Sequence, residues 1–306
     1  MSMDGILNVL KPPGMTSHDV VGYVRKVTGQ KKTGHTGTLD PGAAGVLPVC
    51  LGKATKIIQF LPDDKCYRAE ITFGKSTSTQ DSFGDVLKSD GAYGINATDI
   101  EQELKSFKGW INQIPPMTSA IKHHGKKLYE LARAGIEVER KPRTVYIHEI
   151  ALMNFNDDKI FPSAILHIHC SAGTYVRTIC HDLGEKLGCG AYMSFLLRTR
   201  AGVFALEDTI TLEQLTEPSG LDMETLLVPM GRALAYIPVV DLDNRSARAI
   251  SCGNSITLPV HILASRLVAK QLVRLERAGV LIALAAVKDD PNMSEHYMLQ
   301  PVKVLV

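Results

Sequence analysis

Apolar and polar positions alternate along this chain in two periods, and the places where the period changes mark the elements. Ile6-Leu7-Asn8-Val9 reads as a short strand, and Lys11-Pro12-Pro13-Gly14-Met15-Thr16-Ser17 as a rigid turn. Ser17 is a good N-cap for the stretch His18 to Val27, where Val20, Val21, Val24 and Val27 recur at helical spacing. Ala54 to Leu61 has a helical pattern, and Lys65 to Gly74 alternates like a strand. Thr98-Asp99-Ile100-Glu101 has the form of a capping box opening a helix to about Phe107, and the segment after Gln113 reads as extended, then helical through Tyr129 and Arg133.

Ile165 to Cys170 alternates again and runs into Ser171-Ala172-Gly173-Thr174, where Gly173 allows a sharp break and Thr174 can cap the helical stretch that follows to Gly184. From Thr211 the pattern suggests a short helix. Beyond Pro238 the texture changes to short apolar bursts, Ile256–Leu258, Leu272–Leu275, Val280–Ala285 and Val302–Val306, separated by Gly, Pro and polar turns, which suggests a small barrel. The expected architecture is therefore mixed α/β over residues 1–237, with a separate small β module over 238–306.

One stretch does not reduce to packing. Gly34-His35-Thr36-Gly37-Thr38-Leu39-Asp40-Pro41-Gly42 offers a single carboxylate on a bent segment, with glycines that permit positive φ and Pro41 restricting Asp40 to extended or turn geometry. Its bland reading is a surface turn. Its continuation, Ala43 to Lys56, changes that reading. Over about twenty positions the two together resemble the active-site motif of the TruB family of bacterial tRNA pseudouridine synthases, which act on the T arm.

Three further segments are similar to the same family: Lys11 to Ser17, Lys65-Cys66-Tyr67-Arg68-Ala69, and Gly173-Thr174-Tyr175-Val176-Arg177. The resemblance implies a pseudouridine synthase catalytic domain with a central, mostly antiparallel sheet, followed by a PUA-like RNA-binding domain. It implies that Asp40 is the nucleophile, that Tyr67 lies against the target base, and that Arg177 pairs with Asp40. Tyr175 and Leu196 are implied to contact the base, and His35 to fill the position that the flipped uridine vacates. The pairing has a physical rationale, because a carboxylate covered by a base prefers its neutral form and an adjacent guanidinium, always charged, favours the ionised one.

Two segments depart from the family pattern. Ser76 to Gly84 carries Ser78 where the family has an aspartate, and no site is assigned to it; Thr118 stands where an aromatic is common. Lys11 reads as supporting architecture or as a phosphate contact, and the basic stretch Lys122 to Lys127 is the best candidate for contact with T-arm phosphates.

Composition narrows the classes further. With 306 residues and 45% hydrophobic content the chain can bury a large core and is not a disordered one, and its formal net charge of +2 leaves any basic surface local. Cys50, Cys66, Cys170, Cys180, Cys189 and Cys252 lack metal-type spacing, so neither disulfide nor zinc is expected and the thiols suit a reducing cytosol. His167, His169 and His181 lack an accompanying ligand signature. No apolar run approaches the eighteen or so residues of a membrane span. The resemblance implies tRNA as partner, no cofactor, no obligatory protein partner, a monomer and a cytoplasmic location. Two other readings stay open: a non-catalytic tRNA-binding or RNA-folding protein on the same fold, and a guide-RNA-dependent synthase.

Overall fold

In a computed structural model of the protein, which describes residues 3–216, 223–259, 267–288 and 296–306, the N-terminal apolar pattern forms the strand Gly5–Lys11. The prolines that follow have no amide hydrogen with which to extend it. The next helix is Ser17–Thr28, and its cap is Thr16, paired reciprocally with Asp19, rather than Ser17. Ser17 sits one residue inside, where its buried hydroxyl is engaged by Leu39 instead. Gly29, at φ +67°, ends the helix in the left-handed region.

Similar shifts occur elsewhere. The helix at 97 is capped by Asn96, whose side-chain oxygen accepts from both Thr98 and Asp99 and so displaces Thr98 from the role; it spans Ala97–Leu104. The stretch after Leu51 is a 3-10 helix, Gly52–Phe60. Lys122–His123 and Lys126–Lys127 make a small ribbon before the helix Leu128–Arg133, because His124 and Gly125 take positive φ and turn the chain. The helix after Gly173 is Val176–Lys186, beginning past Thr174, whose hydroxyl bonds Ser171 O. Residues 212–216 form a turn where the pattern suggested a helix.

Among the described residues, nine strands make one sheet. Its main path runs Gly5–Lys11, Ala44–Leu51, Ala191–Ala201, Lys65–Phe73, Ser163–Cys170, Arg143–Asn156, Gly109–Gln113. All neighbours on this path are antiparallel except Ala44–Leu51 with Ala191–Ala201. The helices Ala97–Leu104 and Val176–Lys186 bury Ile100, Leu104, Ile179 and Leu183 with Ile71, Phe73, Leu166 and Ile168 of the sheet. Each such side chain removed from water contributes about 1.5–3 kcal/mol.

A second sheet has five strands, ordered Val239–Asp241, Leu272–Arg277, Val280–Val287, His296–Val304, Ile256–Pro259. Ala247 and Ile250 of the helix Asn244–Ser251 close its core with Val273, Ala283 and Leu299. Leu281, Leu284 and Leu305 instead share a cluster with Ile6, Val46 and Ile57, so the C-terminal module is packed on the larger sheet. The fold is thus mixed α/β with a mostly antiparallel central sheet and a small, PUA-like C-terminal β module. No helix among the described residues is long and apolar enough to cross a membrane.

Candidate active site

Thr33–His35 pairs antiparallel with Ala44–Leu51, so the chain between them must reverse over residues 36–43. That reversal carries Asp40. The Ala43 amide donates to Asp40 O at 3.0 Å and closes the turn, and the Gly14 amide donates to Pro41 O at 2.8 Å. Ser17 clamps Leu39 from both sides, its hydroxyl accepting from the amide at 2.8 Å and donating to the carbonyl at 3.1 Å.

Two buried cations hold the remaining carbonyls. The Lys11 ammonium donates to Pro12, Pro41 and Ala43 carbonyls at 3.0, 3.2 and 2.6 Å. Arg198, 1% exposed, donates through Nε to Val46 O at 2.7 Å, and through its two Nη atoms to Thr38 O at 3.3 Å and Gly37 O at 3.1 Å. Lys11 therefore has an architectural place under the loop. Burial pushes its ammonium down to about 8, with the Asp40 charge opposing. Gly45 makes this packing possible: at φ +118° its missing Cβ would stand 2.2 Å from the Arg198 carbonyl.

Arg177 approaches from the other side. The Tyr175 amide donates to the Gln113 side-chain oxygen at 3.0 Å, and the Gln113 amide donates to Tyr175 O at 3.2 Å, which fixes the entry to the helix Val176–Lys186. Arg177 in the first turn then reaches Asp40 as a fork, Nε to Oδ2 at 2.9 Å and Nη2 to Oδ1 at 3.3 Å. Its third nitrogen lies 3.4 Å from Asp81 Oδ2. The Thr79 and Thr118 carbonyls, each at 3.2 Å, and the Thr118 hydroxyl complete its partners. The Arg177 side chain is only 5% exposed and that of Asp81 13%, whereas Asp40 remains 39% exposed. The carboxylate is held from behind and open in front.

Tyr67 and Leu196 lie on adjacent strands, with Leu196 paired to Ala69 and Arg198 to Tyr67. Both side chains are buried in the cluster that contains Leu39, Ile168 and Val176. Burial raises the Tyr67 phenol above its ordinary range, opposed by the charge and hydrogen bond of Arg198; the Asp40 charge adds to the rise. Tyr175 is half-buried. The His35 ring nitrogen Nδ1 accepts from the Gly37 amide at 3.2 Å, and burial, then the Arg198 charge, lowers its protonation range, so at neutral pH the ring is uncharged.

The structure therefore brings Asp40, Arg177 and Tyr67 together with Leu196 and His35 around one loop. It corrects the reading that assigns no site to Ser76 to Gly84, because Asp81 of that run shares the Arg177 guanidinium. Thr118, noted only as a departure, bonds Arg177 through both its hydroxyl and its carbonyl. Arg198 was missed. Its alternation with Leu196 on an inward-facing strand was the available signal, since residues two apart share a face.

Comparison with known proteins settles the family. The TruB family pseudouridylate synthase N-terminal domain model matches residues 25–176, and the tRNA pseudouridylate synthase B C-terminal domain model matches 177–235. The chain belongs to the TruB family. A relative from Pelotomaculum thermopropionicum, named tRNA pseudouridine synthase B, is 48% identical over 99% of this chain and 97% of its own length. One of the same name from Moorella thermoacetica is 45% identical over 98% of this chain and 99% of its own. Among solved structures, a chain of a Cbf5-Nop10-Gar1 complex superposes with a TM-score of 0.73 at 29% identity, covering 99% of this chain and 85% of that one. A chain from an H/ACA RNP bound to a substrate RNA containing 2'-deoxyuridine gives 0.72 at 28%, with the same coverage.

Proposed function

We propose that this TruB-family chain is a tRNA pseudouridine synthase that isomerises the uridine at position 55 in the T arm. The observation that carries the reading is the forked Arg177 contact on the outward-open Asp40, whose charge reaches the buried Tyr67. The reaction cleaves the bond from uracil N1 to C1′, turns the base, and joins C5 to C1′, with no group lost and no net redox change. Its balance requires no cofactor. Asp40 is the nucleophile of covalent catalysis, and Arg177 keeps it ionised and aligned.

The target uridine leaves the T-loop stack at a cost of a few kcal/mol, offset by contacts in the pocket. Tyr67 supplies a ring for the base and a hydroxyl for proton removal at C5; Tyr175 and Leu196 line the base, and His35 takes the vacated position. The ribbon Lys122–Lys127 contacts T-arm phosphates, and residues 238–306 form a PUA-like RNA-binding domain after the catalytic domain 1–237. The chain works as a cytoplasmic monomer without an obligatory protein partner.

The structural likeness to chains of H/ACA assemblies favours one second reading, a guide-dependent synthase. Identities of 45–48% to relatives named tRNA pseudouridine synthase B, against 28–29% to those chains, weigh against it. The test is to incubate the purified protein with one transcribed tRNA and map modified uridines. Pseudouridine at position 55 without added protein or RNA supports the proposal. Asp40→Asn is expected to bind the transcript and form no product, and measurable product from that variant defeats the nucleophile assignment.

A further inference from the structure

The loop from Ser78 to Asp85 is tightly built. The Ser78 amide donates to Asp85 O at 2.9 Å, the Asp85 amide returns to Ser78 Oγ at 3.0 Å, and the Met193 amide ties Gln80 O to the sheet at 3.0 Å. A Cβ on Gly84 would stand 2.4 Å from Thr79 Oγ1, so the turn closes only with glycine there. Asp81 Oδ1 accepts from the Phe83 amide at 3.0 Å, while Oδ2 faces Arg177. The backbone of Phe83 is therefore one residue's side chain away from the guanidinium that grips Asp40.

The ring itself is 76% exposed, yet it is placed. Its Cε2 and Cζ lie 2.1 and 2.5 Å from where a Cβ of Gly42 would stand, so one side of the ring rests on the backbone of the catalytic loop, two residues from Asp40. The remainder of the ring faces solvent. A large apolar ring held in this position, beside Asp40, offers its free side to a flat, weakly polar group that arrives with the substrate.

A uridine delivered to Asp40 brings such a face with it, because the neighbouring nucleotides are covalently joined to it and each base has a π-face. We propose that Phe83 is a stacking platform for the nucleobase adjacent to the target uridine in the substrate RNA, holding the strand while the uridine turns into the pocket. The inference rests on the RNA-modifying reading above. Base–aromatic stacking tolerates any base, so Phe83 contributes affinity and registration rather than sequence choice.

The test is a Phe83 series, Tyr, Trp, Leu and Ala, in single-turnover pseudouridine formation against protein concentration, with unfolding midpoints as a control. Stacking predicts that Tyr and Trp keep the wild-type half-saturation. Leu and Ala raise it between about fivefold and about a hundredfold, with limiting rates within about threefold of wild type. Half-saturation by Leu equal to that of Phe overturns the proposal, since a leucine also covers Gly42. So does a fall in limiting rate with unchanged half-saturation. A second readout uses RNA with 2-aminopurine beside the target uridine: wild type is expected to quench it and Phe83→Leu not, and absence of quenching by wild type refutes the platform. Because this signal requires binding alone, a wild-type protein that quenches but makes no pseudouridine would overturn the assigned reaction and still support Phe83 as the platform.

Discussion

Replacing Arg177 with lysine keeps the positive charge beside Asp40 and removes the geometry, which makes it the sharpest test of the fork. The guanidinium spreads its donors over two Asp40 oxygens, an Asp81 oxygen, the carbonyls of Thr79 and Thr118 and the Thr118 hydroxyl. An ammonium has three donors on one atom and cannot reach both Asp40 oxygens while meeting the partners behind it. Losing one charge-assisted bond to Asp40 is worth about 1.5–3 kcal/mol, and because Asp40 is 39% exposed the lower half of that range applies. If that bond aligns the nucleophile in the transition state, the single-turnover rate at saturating RNA falls by roughly 10- to 50-fold. Equilibrium affinity for RNA should stay within about threefold of wild type. The folded state should also lose about 1–3 kcal/mol, as buried carbonyls are left without donors, and a urea titration reads this separately. An Arg177→Lys protein that folds and turns over at the wild-type single-turnover rate would refute the argument that the fork, beyond its charge, positions Asp40.

Two further outcomes follow from the ground beneath the loop. Gly45→Ala is expected to destabilise the protein by about 2–4 kcal/mol in chemical denaturation, since φ is +118° and the new Cβ meets the Arg198 backbone; a change under about 0.5 kcal/mol would contradict the close approach. The Lys11 ammonium is lowered to about 8 in the folded protein from 10.5, so between those values the unfolded chain binds the extra proton and stability contributed by this group rises with pH. The stability of wild type relative to Lys11→Met should therefore climb from pH 8 to 10.5, and a flat or falling difference would show that Lys11 is not desolvated.

The Asp40 loop was legible because its signals are local: glycines at 34, 37 and 42 and the Asp40-Pro41 pair announce a bent, rigid segment whatever surrounds it. Residue roles are suggested only through the family resemblance, since Tyr67 and Leu196 are chemically ordinary core residues and the structure buries both as such. Helix starts differ by one or two residues from the sequence reading where two polar side chains, Thr16 and Ser17 or Asn96 and Thr98, could each cap. Thr16 and Asn96 won because a partner three residues on, Asp19 and Asp99, returns the bond. Asp81 and Phe83 were beyond local reading. The loop that carries them is tied to the sheet by its bond to Met193 and to the helix by the Arg177 bond to Thr79 O, both about a hundred residues away, and neither contact can be read from the local sequence.

The buried cations explain why whole-chain charge said so little about the site. A formal surplus of +2 is compatible with a strongly structured local field, because what matters is where charge is desolvated. Lys11 and Arg198 are buried and donate to six backbone carbonyls, three each, and Arg198 also bonds the Tyr67 phenol. Burying an ion costs several kcal/mol even after relaxation, and charge-assisted bonds of about 1.5–3 kcal/mol each are what offset that cost. Those same bonds draw the carbonyls of Gly37, Thr38, Pro41 and Ala43 inward, so the loop cannot relax without stranding a charge. A neutral core residue at either position could fill the volume but would give up two of the side-chain bonds to the Asp40 loop carbonyls, leaving the loop less tightly held. The energetic function of Lys11 and Arg198 is thus to convert a glycine-rich segment, flexible by composition, into a rigid mount for one carboxylate.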